Sequence, residues 1–231
     1  MFYKEWKPFY EEIKTDLDLN FEEDKDASSL LNFLLKDKKL EELKTLEKLI
    51  KDKELIIFGA GPSLEPSIRS KRKQIDKSII IAADGATSAL LKYDIEPDII
   101  VSDLDGDIYD QINANLKGSL ILIHAHGDNI KFIKKYVEDF QNKIIGTTQI
   151  NPSDFKNLYN FGGFTDGDRA VFLADHFKAK KINLVGFDFK GKIGKYSFPE
   201  NKDKKMKLMK LKWCEKLINH LMVKNKNIEF L

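Results

Sequence analysis

The sequence predicts an α/β protein with an open, mostly parallel sheet, helices on both faces of that sheet, and an α-helical segment before it. Two observations lead to this prediction. From Leu55 onward, short runs of apolar, often β-branched residues alternate with stretches of helical periodicity. Each run is apolar almost throughout, which is typical of parallel strands buried on both faces.

The composition indicates a folded, well-hydrated protein and disfavours a nucleic-acid partner. Of the 231 residues, 42% are hydrophobic and 33% are charged. The 39 basic and 37 acidic residues are interspersed, whereas nucleic-acid-binding proteins usually carry a dominant basic surface. The amino terminus is too charged for a signal peptide and no apolar run approaches a membrane span, so we expect a cytoplasmic protein with no membrane partner. The single cysteine, Cys214, excludes an intrachain disulfide and a multi-cysteine zinc site.

Residues 1–53 carry helical signals only. Leucines recur at helical spacing between Ala27 and Lys53, and Ser28 and Ser29 are candidate caps. We expect an amphipathic helical layer that packs on the main domain or on a second subunit, so a homodimer is one possible assembly. We therefore divide the chain into a helical segment, 1–53, and an α/β domain, 54–231.

Six apolar runs predict the strands in chain order: ELIIFGAG, SIIIAADGA, PDIIVSDLDG, SLILIHAHGD, KIIGTTQ and KINLVGFDF. Helices are predicted at 87–93, 109–116, 130–140, 167–177 and 203–225, and the final NIEFL is a candidate edge strand. This alternation is typical of a Rossmann-like sheet, in which ligands bind at the carboxyl ends of the strands. Polar clusters follow every predicted strand at 59–63, 84–85, 103–106, 124–128, 147–149 and 186–188. We expect them to form one site.

Aspartates follow two neighbouring strands of the predicted sheet. Carboxylates that converge repel one another unless a cation lies between them, and Mg²⁺ prefers such oxygen ligands together with substrate phosphates. We predict a magnesium site at Asp84, Asp103 and Asp105; an ordinary aspartate-rich turn is the alternative. An EF-hand is excluded because the sixth and twelfth positions, counted from Asp103, are Ile108 and Ala114 rather than glycine and glutamate.

The turn FGAGPSLEPS after the first strand is a candidate nucleotide-binding loop. Its glycines allow close backbone approach, and Ser63 can cap the next helix and leave N–H groups for a phosphate. The candidate nucleotide-binding residues in this turn are Gly59, Ala60, Gly61, Pro62 and Ser63. The alternative is a dinucleotide-binding motif, but Leu64 occupies its third glycine position.

The stretch HAHGDN supplies candidate substrate contacts. We expect His124 and His126 to contact phosphate or a bound ring, with Asn129 and Gln149 beside them and Asp128 near the metal. A two-metal hydrolase is the alternative reading. It needs a last histidine where Asn129 stands, and the two remaining histidines lie in helical stretches.

A second glycine loop, NFGGFTDGDRAVFLADHF, leads into a predicted helix. Gly162 and Gly163 allow a substrate to approach closely, and Thr165 or Asp166 caps the helix. Arg169 reaches a phosphate or pairs with an acid. We assign Thr165, Asp166 and Arg169 to the nucleotide and the two glycines to the substrate; a plain capped helix is the alternative.

These motifs resemble two related families. The stretch ADGATSALLKYDIEPDIIVSDLDG is similar to the segment of thiamine pyrophosphokinase in which an Asp-Gly turn precedes a strand ending in Asp-x-Asp. The run from GAGPSL to GFDF resembles the archaeal 6-hydroxymethyl-7,8-dihydropterin pyrophosphokinases more closely. The resemblance covers roughly residues 53–190, so the amino-terminal helices fall outside it.

The resemblance implies an enzyme of folate or methanopterin-type biosynthesis. Such an enzyme uses Mg²⁺ to transfer pyrophosphate from ATP to a reduced pterin alcohol and releases AMP, which makes 54–231 a nucleotide-binding catalytic domain. Asp84, Asp103 and Asp105 match the magnesium-binding acids of the family, and Asp128 falls near a further acidic cluster of the thiamine enzymes. Asp84 or Asp128 would accept the hydroxyl proton. Thiamine itself is not implied, because the residues that flank the second glycine loop diverge.

Two other functions remain open from the sequence. A nucleotide-sugar-dependent transferase is one, because relatives of the GxGPSL pattern occur in flagellin modification, although the chain is short and lacks an acceptor domain. A nucleotide-binding module without turnover is the other. The release of AMP, rather than ADP, from ATP separates these functions.

Overall fold

The computed structural model describes residues 1–190, 193–197 and 203–231. Its α-helices are α1 (Tyr3–Leu17), α2 (Phe21–Leu34), α3 (Leu43–Ile50), α4 (Leu64–Ser70), α5 (Arg72–Ile75), α6 (Ala86–Leu91), α7 (Ile108–Lys117), α8 (Ile130–Tyr136), α9 (Asp166–His176) and α10 (Lys204–Lys224). Its strands are β1 (Glu54–Phe58), β2 (Ile79–Ala83), β3 (Ile99–Ser102), β4 (Leu120–Ala125), β5 (Ile144–Thr148), β6 (Leu158–Tyr159), β7 (Lys181–Val185) and β8 (Ile228–Phe230).

Within the described residues, the strands form one eight-stranded sheet in the order β6-β5-β4-β3-β2-β1-β7-β8. Every neighbouring pair is parallel, which confirms the predicted open α/β sheet. Successive strands run outward from β1 as far as β6, and the chain then returns to place β7 on the other side of β1. The order therefore reverses between β1 and β7, and ligands of open α/β sheets bind in the crevice at such a reversal.

Successive residues of β1 pack on opposite faces of the sheet. Leu55 and Ile57 belong to a core shared with α1, α3, α9 and α10, whereas Ile56 and Phe58 belong to a core shared with α4 and α6. Side chains alternate across a strand, so a run that is apolar at every position needs helices on both faces. The continuous apolar runs of the sequence have this origin.

The amino-terminal helices pack on the sheet of the same chain and cover both faces of it. Trp6 and Tyr10 of α1 are buried in the first core, and Leu31 of α2 is buried in a third core with strands β3 and β4. The Trp6 indole Nε1 donates a hydrogen bond to the Gln149 carbonyl at 2.9 Å. The division of the chain at residue 53 stays a prediction about folding units.

The predicted caps Ser28 and Ser29 are wrong, because α2 begins earlier. Asn20 is the cap, and its side chain accepts a hydrogen bond from the Glu22 N–H at 3.0 Å. Ser28 lies inside the helix, where it is buried and its hydroxyl is 2.7 Å from the Thr148 hydroxyl. It joins α2 to β5.

The helices predicted after the second strand correspond to α6–α10, and NIEFL contains the edge strand β8. The helix predicted at 130–140 is too long, because α8 ends at Tyr136 and a 3₁₀ turn covers Val137–Asp139. The two-residue strand β6 was not predicted. Among the described residues, no helix is both long enough and apolar enough to cross a membrane.

Candidate active site

The carboxyl ends of the strands surround a cavity of about 410 Å³. Its walls are the loops after β1 to β5 and β7, the first turn of α9, the turn between α1 and α2, and one face of α10. The polar clusters that follow six of the strands therefore meet at one edge of the sheet. The cavity extends from the β1/β7 reversal to the ends of β4 and β5.

Three carboxylates converge in the middle of this cavity. Asp84 follows β2, Asp103 follows β3 and Asp166 begins α9, and one oxygen from each lies within 4.8 Å of the others. Burial, together with the negative charge of Asp103, raises the pKa of Asp166 above its usual value. Hard oxygen donors that crowd in this way fit Mg²⁺, whose charge would remove the repulsion.

This triad differs from the predicted metal set by one residue. Asp84 and Asp103 lie where the sequence predicted them, whereas Asp166 was assigned to the nucleotide and instead stands beside them. Asp105 lines the same cavity but is not a member of the triad. No local pattern predicts that Asp166 joins the metal set, because it lies more than 60 residues beyond Asp103 in the chain.

Two hydrogen bonds and a close approach to Gly106 fix the position of the Asp84 side chain. Its Oδ1 accepts hydrogen bonds from the Ser102 hydroxyl at 3.1 Å and from Gln111 Nε2 at 2.8 Å. Its backbone has a φ of 42°, in the left-handed region that costs energy for a residue other than glycine. A Cβ at position 106 would lie 2.6 Å from Asp84 Oδ2, so Gly106 is required for this approach.

His126 connects the triad to the mouth of the cavity. Its Nε2 lies 3.1 Å from Asp103 Oδ2, and its Nδ1 lies 3.9 Å from Asp128 Oδ2. The Asp128 side chain is 65% exposed and also lies 3.4 Å from Lys210 Nζ. Asp128 is thus at the cavity mouth and outside the triad, and its catalytic role stays a prediction.

His124 and Asn129 support the wall of the cavity from behind. Both are buried, and neither is among the described residues that line the cavity. Asn129 Nδ2 donates to the carbonyls of Asp103 and His124, both at 2.7 Å. Burial, and secondarily the charge of Arg169, lowers the pKa of His124 well below its usual value, which favours the neutral form of the ring.

The two-metal hydrolase alternative gains no support from the geometry. In the part of the chain that the structure describes, the group able to hold a metal consists of aspartates and contains no histidine. His124 Nδ1 is instead 3.0 Å from the Thr147 hydroxyl, and Asn129 binds backbone carbonyls.

Gly162 and Gly163 lie outside the set of described residues that line the cavity. Their φ angles of 88° and 89° are left-handed, and a Cβ at Gly162 would lie 2.6 Å from the Phe172 ring. A Cβ at Gly163 would lie 2.7 Å from the Arg169 backbone nitrogen. These glycines let the loop pack against α9, and that packing positions Arg169. The predicted contact with a substrate does not match their place outside the cavity lining.

The first turn of α9 places a positively charged and a negatively charged side chain, Arg169 and Asp166, in the cavity. Asp168 accepts a hydrogen bond from the Thr165 N–H at 3.0 Å and so fixes the start of the helix. Arg169 is 6% exposed, and its Nη1 donates to Asp166 Oδ1 at 2.9 Å. Of the two predicted roles of Arg169, pairing with an acid is the one present.

The glycine turn after β1 is hydrogen-bonded to the loop after β7. The N–H groups of Gly59 and Gly61 donate to the carbonyls of Val185 and Gly186 at 2.8 and 2.9 Å. The predicted side-chain cap at Ser63 is wrong, because both its N–H and its hydroxyl donate to Asp188 Oδ2, at 2.9 and 2.8 Å. The β1/β7 reversal brings Asp188 next to this turn. The N–H groups of Gly59, Gly61 and Ser63 therefore bind the turn to the end of β7 and the loop that follows it. Gly59, Ala60 and Gly61 line the cavity, whereas Pro62 and Ser63 lie behind it.

Two groups of cavity residues were not predicted. Asp24 of α2 is a buried carboxylate that accepts hydrogen bonds from the Tyr10 hydroxyl, from Gln149 Nε2 and from the Gly127 N–H. Lys207 and Lys210 of α10 also line the cavity. These residues lie on helices with ordinary amphipathic patterns, which carry no local signal of a site.

Comparison with known proteins gives matches over most of the chain. Residues 29–194 match the model of the family described as MptE-like, 6-hydroxymethylpterin diphosphokinase MptE-like. Three archaeal proteins named 6-hydroxymethyl-7,8-dihydropterin pyrophosphokinase are similar over nearly their whole length. That of Methanocaldococcus jannaschii is 45% identical, covering 99% of this chain and 98% of its own. That of Pyrococcus furiosus is 44% identical, covering 96% and 94%, and that of Methanothermobacter thermautotrophicus is 39% identical, covering 94% and 93%.

Among solved structures, the MAf glycosyltransferase of Magnetospirillum magneticum AMB-1 matches 75% of this chain and 29% of its own chain, at a TM-score of 0.47 and 14% identity. That likeness is too low to carry an argument. The family match spans more than half of the chain, and the sequence identities extend over nearly all of it. The chain therefore belongs to the MptE-like 6-hydroxymethylpterin diphosphokinase family.

Proposed function

We propose that the protein transfers pyrophosphate from ATP to 6-hydroxymethyl-7,8-dihydropterin. The hydroxymethyl oxygen attacks the β-phosphorus of ATP, the bond from that phosphorus to the α,β-bridging oxygen breaks, and AMP leaves with a proton released from the alcohol. Family membership supports this reaction over a sugar transfer or a non-catalytic module. The observation that carries it is the convergence of Asp84, Asp103 and Asp166 at the ligand-binding edge of the sheet.

The triad fits a magnesium ion. It offers three carboxylate oxygens within 4.8 Å of one another, and burial together with the charge of Asp103 raises the pKa of Asp166. Asp84, Asp103 and Asp166 would hold Mg²⁺, and the ion would supply positive charge against the negative charge of the reacting phosphates. The chain positions Asp84 through Ser102 and Gln111, and Asp103 through His126. Asp105 lines the same cavity and stays a predicted metal ligand.

We place the nucleotide at the β1/β7 end of the cavity. Gly59 and Gly61 bring the backbone to its wall, and the rings of Phe187 and Phe189 offer faces on which adenine can stack. Arg169, which pairs with Asp166 of the triad and lines the cavity, would contact a phosphate bound beside the triad. Ligand binding at the strand-order reversal is the general rule for open α/β sheets.

We place the pterin at the β4/β5 end, beside His126 and Gln149. The α1–α2 turn and α2 itself also line the cavity. Gln149 is 2% exposed and held by Asp24, which suits a flat, polar ring that must be read by hydrogen bonds. Asp84 and Asp128 are the candidates for accepting the hydroxymethyl proton.

The reaction type is tested by incubating the protein with ATP, magnesium and 6-hydroxymethyl-7,8-dihydropterin and separating the nucleotides by chromatography. We expect AMP in a one-to-one ratio with a diphosphorylated pterin. Asp103→Asn serves as the matched control, because it keeps the size of the side chain and removes a ligand charge. Production of ADP, or no consumption of ATP with any reduced pterin alcohol, would contradict the proposal.

A further inference from the structure

One face of α10 brings two lysines to the wall of the cavity. Lys207 and Lys210 lie one turn apart and line the cavity together with Leu211 and Cys214 of the same helix. Lys212 lies on another face, where it lines a shallow groove against Glu12 of α1. The helix therefore divides its lysines between the cavity and the outer surface.

The cavity needs these positive charges if it is to hold a chain of phosphates. Nine of the described lining residues are acidic, and three, Arg169, Lys207 and Lys210, are basic. Arg169 is engaged by Asp166 at 2.9 Å. A divalent cation at the triad would offset only part of the remaining negative charge, and polyphosphate would add more. The α10 lysines are the remaining source of positive charge among the described residues of the wall.

Lys210 is held in a place from which it can exchange partners. Its Nζ lies 3.4 Å from Asp128 Oδ2 and 5.9 Å from the centroid of the Phe164 ring. The Asp128 carboxylate is 65% exposed, and an ion pair with a partner so exposed contributes little stability. A phosphate with two or more charges is a stronger partner for an ammonium group than this single carboxylate.

We propose that Lys207 and Lys210 bind the phosphates of the nucleotide, and that Lys210 leaves Asp128 to do so. The identity of that nucleotide as ATP rests on the function proposed above, whereas recognition of polyphosphate by α10 does not. Release of Asp128 then leaves a carboxylate beside His126 at the moment when the phosphates are in place. Phosphate binding and the release of the Asp128 carboxylate from Lys210 therefore occur together.

The test measures polyphosphate binding directly. Wild type, Lys207→Met and Lys210→Met are titrated calorimetrically with inorganic tripolyphosphate and with a non-hydrolysable ATP analogue, each with magnesium. We expect each methionine variant to bind both ligands about tenfold more weakly, because one charge-assisted contact is lost. Lys210→Arg should restore most of the affinity, and Lys212→Met, on the outer face, should bind as wild type does. Asp128→Asn should bind tripolyphosphate more tightly than wild type, because the competing carboxylate is gone.

The outcomes separate this inference from the proposed function. Thermal melts identify any variant that fails to fold, and the Lys210→Arg and Asp128→Asn variants keep the test decisive in that case. Wild-type affinity in both methionine variants, or no gain in Asp128→Asn, would overturn the inference while AMP production stood. Lysine-dependent tripolyphosphate binding in a protein that makes no AMP would support the inference and overturn the reaction.

Discussion

The buried carboxylate of Asp24 accepts a hydrogen bond from Gln149 Nε2 at 2.8 Å, across 125 residues of chain. The same carboxylate accepts from the Tyr10 hydroxyl at 2.6 Å and from the Gly127 N–H at 2.8 Å. One side chain on α2 thereby joins α1 to the loops that follow β4 and β5. The amino-terminal segment, which no motif marked, thus orients Gln149 within the cavity wall.

Asp24→Asn is expected to destabilise the protein and disturb the site. The amide keeps the size of the carboxylate, but its NH₂ group must face either the Gly127 N–H or the donors from Tyr10 and Gln149. Leaving a buried donor without an acceptor lowers the free energy of unfolding by about 1–3 kcal/mol. Urea unfolding measures this change. Glu22→Gln, on the exposed face of the same helix, is the matched control and should shift the midpoint very little; equal midpoints for the two variants would show that the Asp24 network is not stabilising.

Much of the fold follows from local sequence. The strands were recognisable because a parallel strand buried on both faces must be apolar at nearly every position, as Leu55, Ile56 and Ile57 are. Asp84 and Asp103 were identified as site residues because each follows such a strand. These predictions needed only the period of the pattern and the rule about carboxyl ends.

The remaining features depend on tertiary contacts that no local pattern encodes. Asp24 lies in the charged stretch FEEDKDASS, which reads as an exposed helix until α2 packs over β4 and β5. Asp188 meets Ser63 only because β7 returns to the side of β1. The predictions of a homodimer, of a cytoplasmic location and of no nucleic-acid partner stay predictions.

The composition of the triad gives a ranking of metal affinities. Asp103→Asn and Asp166→Asn each remove a carboxylate whose oxygens lie within 4.8 Å of the other two, so we expect Mn²⁺ affinity to fall about tenfold or more in each. Asp105→Asn, in the same loop as Asp103 but outside the triad, should have the smaller effect. Titration followed by electron paramagnetic resonance measures free Mn²⁺ in each variant. If Asp105→Asn weakens binding more than Asp166→Asn does, the ligand set is the one predicted from sequence and the triad is wrong.

Gly61 is expected to be required mainly because of Asp188. A Cβ at this position would clash with the Asp188 carboxylate and would lie 2.6 Å from the Gly186 carbonyl oxygen. Gly61→Ala should therefore destabilise the protein by a few kcal/mol, since overpacking costs about 1–3 kcal/mol. Asp188→Ala alone loses the two hydrogen bonds from Ser63.

The double variant Gly61→Ala/Asp188→Ala should be more stable than the sum of the two single effects allows, because the alanine at 188 vacates the space. Chemical denaturation of all four proteins completes this cycle. Additive effects would mean that the two positions do not interact. Binding of a non-hydrolysable ATP analogue by the folded variants then reports separately whether the turn contacts phosphate.

His124 should make stability depend on pH in a definite direction. Burial, together with the charge of Arg169, holds the pKa of the folded ring well below its ordinary value of 6.5. As pH falls below about 6.5, the unfolded chain binds a proton at this histidine that the folded protein does not bind, so the free energy of unfolding decreases. This contribution is fully present above pH 6.5 and is lost progressively toward the folded pKa.

His124→Gln removes the titration while keeping a side chain that can bond to Thr147. Between pH 6.5 and 5, its unfolding free energy should therefore fall less steeply than that of wild type, by up to about 1.4 kcal/mol per pH unit. Urea unfolding at a series of pH values gives both slopes, and His220→Gln, at a less buried position, is the control with the smaller change. Identical slopes for wild type and His124→Gln would show that the ring is protonated in the folded protein as readily as in the unfolded chain.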